Sequence, residues 1–187
     1  VVWIMHCAEG PVTRAAADAV AQVMQRELQP WKMRWNEEFV GLPSAVRREA
    51  AKLMVVQEQD VSLVGTTGSG LSTIAQGLDW HEGDEVLAPL GEFPSNAWPW
   101  LALRQRGVVF REVPLWDGHQ AGSAALASTP PPADVDPETR LVNALSPQTR
   151  LVTMSWVRFQ DGLALDLGRL GALGVITAIW AASFEQV

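Results

Sequence analysis

The chain has 187 residues, 48% apolar and 19% charged, a balance that fits a globular fold with a sizeable core and excludes a disordered chain. Its net charge of −7, with no basic stripe, argues against nucleic acid as a partner. One cysteine, Cys7, excludes an internal disulfide framework and a zinc–cysteine cluster, and no apolar run reaches the roughly 18 residues of a membrane span.

The opening VVWIMHCAEG reads as a short extended segment without the basic n-region of a secretory signal, so a cytoplasmic setting is expected. Gly10 and Pro11 end it. Alanine-rich TRAAADAVAQVMQREL, Thr13 to Leu28, carries apolar residues at helical spacing (Ala16, Val20, Val23, Met24) and stops at Pro30. WKMRWNEEFVGLP reads as a connecting turn. Ser44 is a plausible N-cap for a second helix to about Gln57, with Val46, Ala50, Leu53 and Met54 facing inward. The pattern then changes to strand–helix alternation. VSLVG (Val61 to Gly65) predicts a buried strand, followed by the turn TTGSG and an apolar helix to Leu78. A second strand is predicted from Glu85 to Ala88, a turn and helix ending at Gly107, and a third strand at VVFREVP. Residues 116–136, small and proline-rich, read as an exposed insertion. Asp136 and Pro137 cap a short helix, TRLVTMSW forms a fourth strand, and DLGRLGAL starts another helix. The alternation implies α/β architecture with a mostly parallel sheet.

The turn GTTGSGLS, Gly65 to Ser72, lies between a predicted strand and a predicted helix, where small residues and free amides favour an anion. Four readings stand at this point. A P-loop matches in Gly65 and Gly70, but Leu71 and Ser72 replace the lysine and hydroxyl pair. A dinucleotide site has Gly68 and Gly70, but Thr73 at the third glycine position. A pyridoxal-phosphate (PLP) phosphate cup would use hydroxyls and amides at the helix start. A plain structural turn is the fourth. EFPSNAWPW (Glu92 to Trp100) and SWVRFQDG (Ser155 to Gly162) follow later strands, and three such motifs at strand ends point to one shared crevice.

The order of these motifs is similar to that of the class V aminotransferases, which include cysteine desulfurases, isopenicillin N epimerase-like proteins and kynureninases. The matching residues are GP near the start, TTGSGL, GLDW followed by GDEVL, EFPSN followed by PW, and TRLVTMSWV followed by FQ and DL. The resemblance spans roughly Trp3 to Leu173, with 116–136 unmatched. It implies an incomplete, mostly parallel sheet of a PLP fold type I large domain with N-terminal helices. Residues 1–58 would form the N-terminal extended segment and helices, 59–173 a partial PLP-binding large domain, and 174–187 a divergent tail. It further implies PLP as cofactor, with Thr67, Gly68 and Ser69 at the phosphate and Phe93 stacked over the ring. Ser95 and Asn96 would shape that loop, and Phe159 and Gln160 would lie near the cofactor or substrate face. Glu92 reads as a solvated or capping carboxylate and His6 is assigned no role. The implied substrate is an amino acid, and the implied assembly of the complete enzyme a homodimer.

The pattern breaks at Gly174. The family continues with an aspartate that pairs with the pyridinium nitrogen and a later lysine that forms the internal Schiff base. GVITAIWAASFEQV holds neither, and the lysines of the chain, Lys32 and Lys52, precede the glycine turn. The expectation is therefore a truncated class V-like protein, inactive alone, with a tail of the kind a frameshift or premature stop would leave. Two alternatives are a nucleotide-binding α/β domain using GTTGSG and a non-catalytic partner of a complete subunit.

Overall fold

A computed structural model describes residues 10–119, 134 and 136–172, together with the backbone of 177–180. The expectations for His6, Cys7, most of the 116–136 insertion and most of the tail lie outside the described residues. The chain divides into two compact units, Val1–Gly65 and Thr66–Val187.

In the first unit, α1 (Arg14–Glu27) begins where the Thr13 hydroxyl accepts the Ala16 amide at 3.2 Å, and it ends before Pro30. A 3₁₀ turn (Pro30–Lys32) and a π-helical turn (Asn36–Gly41) lead into α2 (Leu42–Met54). The expected inward face of α2 is not covered: Val46, Leu53 and Met54 are exposed, and Ala51 is its buried residue. Apolar periodicity identifies the helices correctly, yet periodicity does not say whether a partner surface is present.

The predicted strand Val61–Gly65 is also corrected. It pairs with no strand among the described residues, and Leu63 and Val64 are half-exposed. A short apolar run looks like a buried strand in sequence, but only ladder hydrogen bonds make it one.

The second unit is a four-stranded parallel sheet in the order β2–β1–β3–β4, made of β1 (Glu85–Pro89), β2 (Val109–Val113), β3 (Thr149–Ser155) and β4 (Thr177–Trp180). β4 comes from the tail, which thus supplies a sheet strand. Side chains of β1 alternate between two cores, as the period of two requires. Val86, with Leu151 of β3, packs under α3 (Thr67–Gly77) and α4 (Pro94–Leu101) against Leu71, Ala75, Trp80, Trp100 and Leu103. Leu87, with Val152 and Met154, packs on the opposite face under α5 (Pro137–Asn143) and α6 (Leu167–Ala172). Burying a side chain such as Leu87 completely stabilises by roughly 2 kcal/mol. Helices on both faces explain why β1 reads as a continuous apolar run.

Element ends follow local chemistry. Pro99 inside α4 interrupts its hydrogen bonding, and the chain tightens to a 3₁₀ helix (Ala102–Arg106). Gly107 stops that helix at φ +78°, where a Cβ would meet Glu82 Cγ at 2.8 Å. The start of the expected exposed insertion is corrected: Trp116 and His119 are buried, stacked at 4.0 Å and nearly parallel.

Candidate functional site

β1 is the first strand of the sheet. β2 lies on one side of it, and β3 and β4 lie on the other. The winding direction therefore reverses between β1 and β3, and the crevice beyond their carboxyl ends is where open α/β sheets bind ligands. Two segments reach that place: the turn Leu90 to Phe93 after β1, and the loop 156–165 after β3.

Each sequence-predicted residue has a definite position there. Thr67 and Gly68 are the first two residues of α3, and their amides have no intrahelical acceptor. Ser69 closes a capping box: its amide donates to the Thr66 hydroxyl at 3.0 Å, and its own hydroxyl accepts the Thr66 amide at 3.1 Å. The Ser69 hydroxyl also donates to the Thr66 carbonyl at 2.7 Å. Phe93 caps the start of α4, and its carbonyl accepts the amides of Asn96 (2.7 Å) and Ala97 (3.2 Å). The two helix starts meet, since a Cβ placed on Gly68 would lie 4.0 Å from Ser95 Cβ. The Phe93 ring stands edge-on to Phe159, centroids 5.2 Å apart at 88°. Gln160 donates to the carbonyl of Gly91. Thr67, Gly68, Ser69, Ser95, Phe93 and Phe159 thus belong to one end of one unit.

Backbone conformation fixes this arrangement. Gly91 has φ +76°, and a Cβ there would meet Gln160 Nε2 at 2.8 Å, so the turn after β1 requires glycine. The loop after β3 is a pinned hairpin in which Val157 bridges Ala164 and the Leu165 amide donates to the Trp156 carbonyl at 2.9 Å.

Two polar clusters were not read from the sequence. The first centres on Glu92, which is buried rather than solvated. Its carboxylate accepts the Asn96 amide group at 3.0 Å, the Ser155 backbone amide at 2.9 Å and the Ser155 hydroxyl at 2.7 Å. Asn96, fully buried, in turn accepts a hydrogen bond from the Thr153 hydroxyl. Two hydroxyl residues at i and i+2 on a buried strand, opposite a glutamate–asparagine pair at i and i+4, were the available signal. The second cluster is Arg158, paired with Asp161 at 3.0 Å and donating to the Leu90 carbonyl at 3.2 Å. His119 accepts the Leu115 amide at Nδ1 (3.0 Å), and its Nε2 lies 3.1 Å from Arg158 Nη2. Burial pushes the His119 imidazole down to about 4, the Arg158 charge adds to this, and Asp161 opposes it.

The chain is 29% identical over 127 residues to a probable cysteine desulfurase of Methanothermobacter thermautotrophicus, an alignment covering 68% of this chain and 28% of that protein. Among solved structures it superposes on the cystine C–S lyase C-DES, in complex with its product cysteine persulfide, with TM-score 0.79 and 22% identity. That match covers 96% of this chain and 46% of that one. The chain has the class V aminotransferase/cysteine desulfurase-like fold. Histidinol-phosphate aminotransferase of Sinorhizobium meliloti, solved with pyridoxal-5′-phosphate, matches with TM-score 0.56 and 15% identity over 86% of this chain and 39% of its own. No family model matches. A variant of C-DES and the histidinol-phosphate aminotransferase were both solved with PLP, and the chain spans less than half the length of these relatives.

The residues present fit a PLP phosphate in kind. A helix start with two amides that lack an intrahelical acceptor, beside the Thr67 hydroxyl, suits a dianion, and a half-buried aromatic ring at the adjoining strand end suits a pyridine face. Among the described residues no group of three or more histidine, cysteine or acidic side chains is arranged to hold a metal ion.

Proposed function

We propose that this chain is the cofactor-gripping part of a PLP-dependent enzyme that acts on an amino acid, in C–N or C–S chemistry. The observation that carries this reading is the meeting of the α3 start with the α4 start at the switch-point crevice, Gly68 against Ser95 with Phe93 beside them. Thr67 and Gly68 would hold the phosphate through their amides and the Thr67 hydroxyl, helped by the positive end of the α3 dipole, while Ser69, whose amide and hydroxyl both engage Thr66, would keep that helix start in shape. Phe93 would lie against the ring and exclude water from one of its faces. When bound, PLP supplies an electron sink for charge that develops beside the amino group of a substrate. The names of the relatives, a cysteine desulfurase and a cystine C–S lyase, support a sulfur-containing amino acid as the substrate of the whole enzyme.

Lys32 and Lys52 are the lysines of these 187 residues, and both belong to the N-terminal unit. Lys32 ends a 3₁₀ turn, and Lys52 in α2 is exposed and paired with Glu49. In our reading, the unit Thr66–Val187 forms a partial cofactor domain, and these 187 residues taken alone hold PLP without a covalent lysine link and do not turn over substrate. The test is calorimetry with PLP, pyridoxal and inorganic phosphate. PLP should bind reversibly and about 10-fold more tightly than pyridoxal, the magnitude a helix-start anion site supports. Borohydride should fix no label within residues 66–172, which hold no lysine, whatever it fixes at the exposed Lys52. Equal affinity for pyridoxal and PLP would overturn the reading of the phosphate cup.

A further inference from the structure

We propose that Glu92 is a positioning residue: a buried carboxylate that does not touch the ligand but fixes the Phe93 ring at the crevice. The inference rests on the reading of Phe93 as the ring face.

A carboxylate at 8% exposure is costly unless its oxygens are satisfied, and here three donors satisfy them. Two of the donors come from Ser155, the last residue of β3, and one from Asn96 in the first turn of α4. Asn96 is itself tied to Thr153 of β3. The network therefore joins the turn after β1 to the end of β3, across the point where the sheet reverses direction. Phe93 is the residue next to Glu92, and Phe159 lies four positions beyond Ser155. Each ring of the edge-on pair is thus tethered near one end of the Glu92–Ser155 tie. Gly91, on the other side of Glu92, is held by its own amide donating to Glu112 at 2.9 Å and by Gln160 at its carbonyl. The corner Gly91 to Phe93 is gripped from both flanking strands.

Only a carboxylate meets this donor set. A glutamine offers one acceptor oxygen and turns an NH₂ group toward either the Ser155 or the Asn96 donors. An aliphatic side chain leaves all three donors unsatisfied.

Four measurements on the full 187-residue chain test the proposal: the ring resonances of selectively labelled phenylalanines, with Phe93 assigned through Phe93→Leu, the affinity for PLP, the affinity for inorganic phosphate, and the melting curve. Glu92→Gln should shift the Phe93 and Phe159 ring resonances toward unpaired values. It should weaken PLP binding about 5-fold, the scale of one lost aromatic contact, and leave phosphate affinity unchanged. In a Phe93→Leu background Glu92→Gln should cause no further loss of PLP affinity, because its effect runs through the ring. Unchanged ring resonances in Glu92→Gln would overturn the proposal. So would an equal loss of phosphate affinity, or the same loss of PLP affinity when Phe93 is already gone. If the wild-type chain binds no PLP, the reading of the site fails, while the ring resonances still decide whether Glu92 places Phe93. If Glu92→Gln does not fold, Ser155→Ala, which removes one donor, should move the same resonances in the same direction by less. No movement there overturns the proposal equally.

Discussion

Glu85 at the amino end of β1 and Glu92 in the turn beyond its carboxyl end are both buried carboxylates, and they are compensated differently. At the amino end Glu85 faces a cation: Arg111 of the neighbouring strand β2 donates to it at 2.6 and 2.8 Å, with Thr149 and Ser146 adding hydroxyls. That guanidinium holds the Glu85 carboxyl below its usual range, with the Thr149 and Ser146 hydroxyls adding to it, against the opposing effect of burial. In the turn beyond β1, the partners of Glu92 among the described residues are neutral: an amide side chain, a backbone amide and a hydroxyl. An ion pair such as Glu85–Arg111 neutralises charge where strands must be stapled together. A carboxylate satisfied by neutral donors instead fixes direction, and it does so where the loops carry the candidate site. The lesson is that equal burial does not mean equal work.

Acid titration separates the two ends most strongly. His119, beside Arg158 and the turn after β1, is pushed from the ordinary 6.5 down to about 4, so the unfolded chain takes up its proton first. The stability it contributes is complete above about pH 6.5 and is lost as pH falls toward 4, a change of about 3 kcal/mol at most. The Glu85 contribution, from a lowered carboxyl, is complete above the ordinary carboxyl value of 4.5 and is lost only as pH falls below it. Urea unfolding between pH 7 and 4.5 should show this slope, and His119→Gln should flatten it. A wild-type profile that is flat over that range would contradict the burial of a neutral imidazole.

Next in size, Arg111→Ala leaves Glu85 without its cation. It should lower stability by about 2 kcal/mol, less than a fully buried pair because the arginine is partly exposed. PLP affinity should not change, since the staple lies at the far end of the strand. A parallel loss of affinity would erase the distinction between the two ends.

Thr66→Ala removes the cap and the capping box of α3 and should cost about 1 kcal/mol in thermal or urea unfolding. The smallest stability effect belongs to Gly68→Ala. The new Cβ would meet Ser95 Cβ and Thr66 Oγ1 at 4.0 Å, an ordinary contact, so stability should move by about 0.5 kcal/mol or less. The methyl nevertheless stands between the two helix starts, and PLP affinity should fall about 5-fold in calorimetry. Stability and binding thus part company at the ligand end and coincide at neither.

Much of the α/β unit is legible in the sequence. The turn residues at Thr66 to Ser69 announce a helix start because a hydroxyl three residues before another completes a capping box locally. Pro94 and Gly107 bracket the next helical segment for reasons equally local. β1 and β3 are apolar runs of strand length, and the order of motifs was enough to bring out the family likeness. The expected strand at Val61 to Gly65 and the covered face of α2 were misread because pairing and covering are properties of a second surface. The strand at Thr177–Trp180 escaped for the same reason: it is defined by its ladder to β3, from Val152↔Thr177 to Ser155↔Trp180.

What the sequence alone determined, then, is everything that depends on neighbours within a turn or two: helix caps, breaks, the alternation of β1 and the glycine-rich bend with its hydroxyls. Only the tertiary structure decided that Glu92 is buried and not solvated, that Phe93 and Phe159 meet, and that the reversal of strand order falls between β1 and β3. Those facts join residues some 60 positions apart, as Glu92 and Ser155 are. Long-range hydrogen bonds and burial are set by how strands are ordered in the sheet, which local propensity does not encode.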